Sequence, residues 1–423
     1  MTLNFGLTVA GGYFHTADTN FGAGRQTDGR ETIDWMEGFV KPAVTAAMES
    51  TEAGTFYGGL AYVGTISAGD GDAGGFTPSH TQALDNEDLY IGWRSGRLLE
   101  SLGTDAIDVS FGRQDFHVGS GFLIWDGNYD TGHEGTYRLL ARSAFERAAL
   151  LRVNVQRLHV DLFYLKADRD NGRPQLYGAN VEYTAADFGT LAASGFKIFD
   201  ATPEFATRDG LRVLNARAGA QPLTRWGIAD FHVAGEYVRE DHDSSRHGVA
   251  ASAWYAEVSY KWVSVPWSPA LKYRYSAFTG DDPATTRSEA FDPLFYSYST
   301  DWDTWIQGEI TGSYLLFNSN DDVQLVHASV QPLATLTVGV MYWNFTLDQP
   351  ATLADSFKGG PYTHVPSAKD FADEIDLYTD WTINRHLSVN GVFGIALPDA
   401  AAQQAVGASH DYKLIELYMT LTL

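Results

Sequence analysis

The sequence predicts an all-β fold, a single antiparallel transmembrane β-barrel of 18 strands that takes in residues 1–423. Three observations lead to this prediction. Apolar residues alternate with polar ones along most of the chain, helical patterns are nearly absent between the alternating segments, and short connections alternate with long ones. A period of two gives a strand one apolar and one polar face, and strands without intervening helices exclude parallel βαβ folds.

The alternation starts at Leu3, Phe5, Leu7 and Val9 and continues to the last run, 415–423. The segments span roughly 10–13 residues, which suits a tilted strand crossing a bilayer better than the ~5–6 residues usual in soluble sheets. Aromatic residues end several apolar faces, as expected for the girdles at membrane interfaces. These residues are Trp93, Trp254, Trp262, Tyr342 and Trp381. A large soluble β-protein is the alternative, but its apolar face would not be expected to persist to the final residue.

The connections give a second, independent indication. Bacterial outer-membrane barrels have short periplasmic turns and long extracellular loops. The predicted short turns are 156–157, 186–188, 263–269, 331–335 and 383–386. The predicted long loops are 14–34, 67–86, 116–143, 201–210, 240–249, 279–320, 347–372 and 397–411. Two of these loops, 116–143 and 279–320, are candidates for folding into the lumen.

The number of strands follows from parity. Nineteen segments have strand-like patterns, but an odd number cannot bring both termini to the periplasmic side. When strands are counted from the N-terminus, 269–278 must run towards the extracellular side. When they are counted from the C-terminus, 322–331 must run towards the periplasmic side. Everything between them is therefore one excursion, 279–320, and the apolar spacing within 302–317 favours a helix there. Eighteen strands remain, and a closed sheet of that size leaves an aqueous channel rather than a filled core.

The composition excludes several classes of protein. The 423 residues include 29 Lys and Arg against 53 Asp and Glu, a formal charge of −24 that argues against a nucleic-acid partner. The absence of cysteine excludes disulfides, thiolate zinc sites and iron–sulfur clusters. The sequence contains no uninterrupted run of about 18 apolar residues, which is the length that a transmembrane helix needs, so no such helix is predicted. The first ten residues have no basic region followed by an apolar core, so we expect a mature form from which a signal peptide has been removed.

The motifs predict no enzyme, cofactor or metal site. The segment 119–121 lacks the spacing of a nucleophile elbow, and 22–24 lacks the Lys and Ser or Thr of a phosphate-binding loop. The acidic clusters 85–88, 240–243 and 281–282 do not have calcium-loop spacing, and the 12 histidines have no convincing metal-ligand spacing. An outer-membrane enzyme is a minor alternative.

In a barrel the polar face lines the pore, and its charges set selectivity. The residues predicted to face inward carry both signs. The basic ones include Lys41, Arg94, Arg152, Lys197, Lys261, Lys272 and Arg274, of which the last three form the most concentrated group. Tyrosines on the same face would offer their rings to sugars, and they are Tyr90, Tyr255, Tyr378 and Tyr418. The alternative for each charged residue is a cross-strand ion pair that holds the barrel shape, such as Glu257 with Lys272 or Arg274.

Two segments carry a resemblance to a known family. The first is Phe111-Gly112-Arg113-Gln114-Asp115-Phe116, followed by Gly119 and Gly121. The second is Gly280-Asp281-Asp282-Pro283, followed by Phe291-Asp292-Pro293-Leu294-Phe295. Both are similar to motifs of the alginate-export family of outer-membrane porins, as is the later run through Tyr342-Trp343-Asn344-Phe345.

The resemblance implies a monomeric 18-stranded channel in the outer membrane of a Gram-negative bacterium, in contact with membrane lipid and lipopolysaccharide. The family's best-known member passes an anionic polysaccharide through an arginine-rich constriction, with loops folded in as gates. Mapped onto this chain, the resemblance implies that Arg113, Arg138 and Arg142 flank a constriction formed by the loop 116–143. Equally, Arg113 could pin that loop to the wall through a carboxylate. The mixed lumenal charge departs from the family pattern.

The leading functional hypothesis is a channel for passive diffusion or export of an acidic saccharide or another anionic solute. The predicted pore-lining and constriction residues are Arg94, Arg113, Arg138, Arg142, Arg152, Lys261, Lys272 and Arg274. The alternative is a structural or adhesive outer-membrane barrel that is plugged by 279–320 and has no general transport activity.

Overall fold

The computed structural model describes residues 1–129, 132, 134–168, 172–185, 189–228, 230–242, 248–297, 302, 304–358 and 360–423. The predicted turn 186–188 lies outside these residues, as does Asp243 of the acidic cluster 240–243. Short parts of the loops 116–143 and 279–320 also lie outside them, namely 130–131, 133, 298–301 and 303.

In the described part of the chain, eighteen strands form one antiparallel sheet. The strands are β1 (Thr2–Ala17), β2 (Ile33–Ser50), β3 (Gly54–Gly69), β4 (Gln82–Arg94), β5 (Ile107–Gln114), β6 (Phe145–Val155), β7 (Leu158–Lys166), β8 (Gln175–Ala185), β9 (Gly189–Phe199), β10 (Arg212–Ala220), β11 (Phe231–His242), β12 (Val249–Lys261), β13 (Ala270–Phe278), β14 (Asp321–Leu333), β15 (Leu336–Leu347), β16 (Asp370–Asn384), β17 (Leu387–Pro398) and β18 (Tyr412–Thr422).

Each strand pairs with its neighbours in the sequence, and β1 also pairs with β18, so the sheet closes on itself. The closing pair runs from Thr8 opposite Thr422 to Ala17 opposite Lys413. Closure removes both sheet edges, whose unpaired amide and carbonyl groups could not be satisfied in lipid. The prediction of a closed antiparallel barrel of 18 strands is therefore confirmed.

The two faces of the sheet differ in polarity. Large apolar side chains are exposed on the outer face around the barrel, from Phe5 on β1 through Ile91 on β4 to Met419 on β18. The alternate residues point inward, where they carry charges, as Asp161 does on β7, or are covered by loops, as Phe14 is on β1. A barrel with an apolar outside and a polar inside suits lipid on one face and water on the other.

The connections at the two ends of the barrel differ in length. Because the strands are antiparallel, the loops after odd-numbered strands all lie at one end, and these include 18–32, 70–81, 115–144, 279–320, 348–369 and 399–411. The other end carries tight turns such as 156–157 and 385–386. Several strands run further than predicted, so the turn between β14 and β15 is 334–335 rather than 331–335. The ends of these strands extend beyond the membrane, where neither face has to be apolar. Apolar and polar residues therefore alternate less clearly there.

The described residues of 279–320 form no barrel strand, as parity predicts. A π-helical turn at Gly308–Gly312 comes later than the predicted spacing indicated. The ring of Trp302 stacks on Tyr378 at 4.4 Å, and Trp305 packs on Phe122 at 4.4 Å, so the two tryptophans serve different contacts rather than one helical face.

In the part of the chain that the structure describes, the other short helical elements are the 3₁₀ turns Thr19–Gly22, Pro203–Arg208, Thr224–Trp226 and Pro350–Asp355, and the helix α1 (Ala400–Val406). Across the described residues, none of the helices has the length and apolar character needed to cross a membrane.

Candidate functional site: the pore and its constriction

A row of alternating charges crosses four neighbouring strands on the inner face. Arg94 on β4 lies directly opposite Asp108 on β5, which lies opposite Arg152 on β6, which lies opposite Asp161 on β7. Arg94 Nε is 3.3 Å from Asp108 Oδ2, and Arg152 Nε is 3.9 Å from Asp161 Oδ1. Opposite charges directly across a strand pair stabilise the pairing. The Arg94 and Arg152 side chains remain 43% and 28% exposed, so both also reach solvent.

Water-accessible space adjoins this row. A cavity of about 530 Å³ lies beside Arg152 and Asp161. Its other lining residues are Asp115, Phe116, His117, Gly119, His159 and Glu182. In the loop, burial lowers the pKa of His117, with the Asp115 carboxylate acting in the opposite direction. The cavity therefore presents carboxylates, imidazoles and a guanidinium to any solute that enters it.

Of the three basic residues on β12 and β13, two remain accessible to solvent and one is covered by a loop. Lys272 Nζ lies 3.3 Å from Glu257 Oε2 and keeps 24% of its side chain exposed, whereas Lys261 is exposed. Arg274 is buried, because its Nη2 donates to the Thr304 carbonyl at 3.0 Å and its guanidinium covers the Trp305 ring at 4.5 Å. The segment 279–320 thus covers Arg274 and leaves the two lysines accessible.

A β-bulge orients the side chain of the motif residue Arg113. The register between β5 and β6 shifts between Gly112 and Gln114. Gly112 has φ = +129°, and a Cβ there would lie 2.1 Å from the Leu89 carbonyl oxygen, so only glycine fits. Arg113 Nη2 then donates to Asp168 Oδ2 at 2.5 Å, and its Nε donates to the Glu87 carbonyl at 3.1 Å. The glycine before the arginine is thereby explained.

Arg142 lies in the same network and is almost fully buried. Its Nη1 is 2.5 Å from Glu134 Oε1, and its Nε donates to Glu87 Oε2 at 3.2 Å. Glu87 Oε1 also accepts the backbone N–H groups of Ser143 at 2.8 Å and Ala144 at 3.1 Å. One carboxylate on β4 therefore holds the end of the loop 115–144 against the wall.

Arg138, at the middle of that loop, joins three parts of the molecule. Its Nη2 is ion-paired with Glu309 of the segment 279–320 and lies 2.7 Å from Glu416 Oε1 on β18. The backbone N–H groups of Arg138 and Leu139 donate to Glu37 Oε2 on β2 at 2.9 and 3.0 Å. The loop therefore reaches from β5 and β6 across to β18 and β2.

The segment 279–320 is anchored by carboxylates on β16. Glu374 accepts the backbone N–H of Ile310 at 2.8 Å and that of Thr311 at 2.7 Å. Asp376 Oδ2 accepts the backbone N–H of Glu309 at 3.4 Å and the Trp343 indole N–H at 2.9 Å. No motif in the sequence singles out these two acids as loop anchors. A signal was present, because Trp343 and Met341 lie opposite them, so neither acid has a cation across the strand.

Four extracellular loops meet around the Lys358 ammonium. Its Nζ lies between 5.1 and 5.9 Å from the ring centroids of Phe76, Tyr129, Tyr137, Phe317 and Phe357. Aromatic faces attract a cation at such distances. Loss of hydration in this surrounding, with Arg208 nearby, lowers the pKa of Lys358 to about 8. No sequence pattern predicts this cluster, because its members are far apart in the chain.

Two of the lumenal predictions are wrong. Tyr255, Tyr378 and Tyr418 are buried beneath loop residues, so their rings are closed to a passing sugar, whereas Tyr90 stays partly accessible. Lys197 points outward and is exposed, and its neighbours Phe196 and Ile198 point inward and are buried. The inward residues of this strand are apolar and pack against the folded loops. The inner face is therefore apolar here, where a polar face in contact with water was expected.

One group of potential metal ligands occurs among the described residues. Asp18, Glu31 and His410 place one ligand atom each within 4.8 Å of the others. Asp18 already lies 3.2 Å from the Lys413 ammonium, and Glu31 and His410 are exposed. The group is an exposed acidic cluster with a cation beside it, and we assign it no metal.

A closed 18-stranded barrel with an apolar outside, a charged inside and long loops at one end defines a channel of the outer-membrane porin class. The chain belongs to the alginate export family, whose family model matches residues 35–415. The family and the structures it resembles are export channels and porins rather than enzymes.

Solved porins share the fold. OccAB2 of Acinetobacter baumannii has a TM-score of 0.63 at 12% identity, covering 100% of this chain and 98% of that one. OccK2 (OpdF) of Pseudomonas aeruginosa has a TM-score of 0.60 at 13% identity, covering 100% and 97%. OccK5 (OpdH) of the same species has a TM-score of 0.59 at 11% identity, covering 99% and 98%. Comparison with curated proteins gave no match.

Proposed function

We propose that this outer-membrane channel conducts an acidic saccharide or another anionic solute, by passive diffusion or export. The observation that carries the proposal is the pair Lys261 and Lys272. They are diagonal neighbours across β12 and β13 on the inner face, both reach solvent, and Lys272 contacts Glu257. Arg94 and Arg152 add two further solvent-accessible cations, although each faces a carboxylate. Charges that line a pore favour solutes of the opposite sign.

We further propose that the loops 116–143 and 279–320 narrow the channel and that Arg113, Arg138 and Arg142 hold them in place. All three guanidiniums are largely buried and paired with carboxylates, which favours a pinning role over direct contact with solute. Arg274 has the same character beneath Trp305. The solute then meets Arg94, Arg152, Lys261 and Lys272, while the buried arginines set the width of the passage.

Reversal potentials in planar bilayers under a salt gradient test the anion preference. We expect an anion preference in the wild-type channel and its loss in the Lys261→Ala/Lys272→Ala variant, because the exposed positive charge is removed. Lys413→Ala is the matched control, since Lys413 belongs to the outward-facing phase of β18 and should leave selectivity unchanged. A cation preference that is the same in all three proteins would refute the proposal.

A plugged structural or adhesive barrel is the second candidate, and one observation favours it. From Trp305 to Asp321 the segment is buried almost without interruption, and Tyr137 of the other long loop donates to the Ser313 carbonyl at 2.8 Å. Liposome swelling separates the two functions. Swelling in small sugars by the intact protein supports a channel, and no swelling even after deletion of 281–318 supports a barrel without transport.

A further inference from the structure

A small cavity lies at the extracellular end of the barrel, where three loops meet the inner face of β11. Its volume is about 130 Å³. Its base is formed by the buried residues Leu211, Glu240 and Phe291, and its mouth by Thr207 and Asp355, which are exposed. One water molecule occupies about 30 Å³ in the liquid, so the space suits an ion with a few waters. The cavity is therefore reached from solvent at one side and closed at the other.

Glu240, at the base, has one carboxylate oxygen without a partner. Its side chain is buried, and its Oε2 accepts the backbone N–H of Asp292 at 3.1 Å. Its Oε1 is also buried, but it has no hydrogen-bond partner in the part of the chain that the structure describes. Glu240 lies opposite Val213 on β10 and Ala251 on β12, so neither neighbouring strand supplies a cation. Buried charges in proteins are normally paired or bound to a metal ion.

The groups around the cavity carry an excess of negative charge. Three carboxylates line it, those of Glu240, Asp292 and Asp355. The Arg208 guanidinium pairs with Asp292, with its Nε donating to Oδ2 at 2.6 Å and its Nη2 to Oδ1 at 2.7 Å. Lys358 follows the lining residue Phe357 in the chain but does not itself line the cavity. Three carboxylates against one guanidinium leave two negative charges, which one divalent cation balances.

The donor atoms of the lining indicate the class of cation. Besides the three carboxylates, the hydroxyl residues Thr207 and Ser288 line the cavity. Such oxygen donors are the ligands that Ca²⁺ and Mg²⁺ prefer. No histidine occurs among the described lining residues and the chain has no cysteine, so the donors typical of a Zn²⁺ site are missing here. The three carboxylates do not all approach within 4.8 Å of one another, so a bound ion keeps some of its water ligands.

We propose that this cavity binds a partly hydrated alkaline-earth cation, Ca²⁺ or Mg²⁺, with Glu240 Oε1 as its buried ligand. Asp292 and Asp355 contribute directly or through water. Glu240 belongs to β11, Asp292 to the segment 279–320 and Asp355 to the loop 348–369, so the ion fastens two extracellular loops to the barrel wall. Lys261 and Lys272, which carry the proposed anion preference, lie towards the opposite ends of their strands. The cation site is therefore independent of solute selection.

Isothermal titration calorimetry of the detergent-solubilised full chain with CaCl₂ or MgCl₂, in a background of NaCl, tests the site. We expect a Kd of about 10⁻⁴–10⁻³ M, the range of extracellular calcium-binding modules. Glu240→Gln should weaken binding at least about tenfold, because it removes the buried charge and affinity follows the charge of the ligands. The amide oxygen of the new side chain can still accept the Asp292 N–H, so the loop contact is kept.

Two control variants define where the ion binds. Asp282→Asn changes an acid of the segment 279–320 that does not line the cavity, and it should leave the affinity unchanged. Glu31→Gln changes the exposed cluster of Asp18, Glu31 and His410, and it should also leave this binding step in place. Loss of binding in Glu31→Gln together with full binding in Glu240→Gln assigns the ion to the exposed cluster and overturns the proposal.

The two salts distinguish the two ions. Tighter binding of CaCl₂ assigns the site to Ca²⁺, tighter binding of MgCl₂ assigns it to Mg²⁺, and either result supports the proposal. Absence of binding by the wild-type protein at millimolar concentrations of both salts overturns it, since the Glu240 carboxyl group is then stable in the cavity without an ion.

Limited proteolysis gives a second measurement. The bound cation should slow cleavage within 279–320 and 348–369 several-fold in the wild-type protein and have little effect in Glu240→Gln. Equal protection of both proteins by the cation overturns the proposal. Single-channel conductance shows that Glu240→Gln is folded and inserted. Because the binding measurement requires no transport, a failure of this site is distinguishable from a failure of the proposed anion preference.

Discussion

The guanidinium of Arg138 lies 2.7 Å from the Glu416 carboxylate, although one belongs to the loop after β5 and the other to the last strand. The same guanidinium is ion-paired with Glu309 of the segment 279–320. Arg138 and Glu416 are buried, so the Glu416 carboxylate depends on this guanidinium for stabilisation, while the guanidinium is shared with Glu309. This single contact connects the two long loops with the strand that closes the barrel.

Replacing Arg138 should release the loop. In Arg138→Met, Glu309 and Glu416 lose a buried cation, and breaking a buried pair from one side costs about 3–5 kcal/mol. We expect a larger and noisier single-channel conductance. Arg138→Met/Glu416→Gln should recover part of the wild-type conductance, because it removes one of the uncompensated charges. A wild-type trace from Arg138→Met would show that the loop does not limit conduction.

Arg113 and Arg94 should respond differently to the same change. Arg113→Met removes one of the cations that pair with Asp168 and Glu87 in a largely buried network, so we expect rapid protease cleavage within 115–144. Arg94→Met removes an exposed pair worth about 0.2–1 kcal/mol, so the loop should stay resistant while the reversal potential shifts towards cations. The opposite assignment of the two phenotypes would show that Arg113 lines the pore.

Glu374 should be required to hold the segment 279–320 inside the barrel. Glu374→Leu removes the acceptor of two buried backbone N–H groups, those of Ile310 and Thr311, and an unsatisfied buried donor costs about 1–3 kcal/mol. We expect protease cleavage within 279–320 in proteoliposomes and a larger conductance. Asp108→Leu is the control, because Asp108 is an inward carboxylate that pairs with Arg94 instead. Equal resistance of both variants would count against this anchor.

The Lys358 amine should titrate at an unusually low pH. Its pKa of about 8 in the folded protein is below the 10.5 of a free lysine, so the charged form is disfavoured by folding. Between those two values the unfolded chain binds more protons, and the contribution of Lys358 to stability therefore rises with pH across that window.

Amine acylation followed by mass spectrometry measures this directly. The reactivity of Lys358 should reach half its maximum near pH 8, well below the 10.5 of a free lysine. Lys358→Met should remove the contribution of this amine to the pH dependence of loop stability. A half-maximum at the value of free lysine would contradict the proposed effect of the surrounding rings.

The fold was predictable from sequence because its signals are local. The alternation from Leu3 to Val9 and in 415–423 depends on neighbouring residues, and the strand count follows from parity. The outward face of β9 was not predictable in the same way. Ala192, Ala193, Ser194 and Gly195 give little contrast between faces, so Lys197 was predicted to point inward although the neighbouring Phe196 is the residue that is buried.

The interior could be predicted only in part. Inward charges such as Arg152 and Lys272 follow from strand phase, but their exposure depends on where the loops lie. Arg274 shares the phase of Lys272, yet Trp305 covers it. The contacts of Lys358 and Arg138 join residues that are distant in the chain, and no local sequence pattern predicts such long-range contacts.

The pairing of β1 with β18 has a consequence for biogenesis. Until the 11 residues of Tyr412–Thr422 are available, β1 and β17 each present a line of unsatisfied peptide groups that can capture any extended polypeptide nearby. The nascent protein must therefore be shielded until β18 is available to pair with β1, and deletion of β18 opens the whole ring rather than shortening it by one strand.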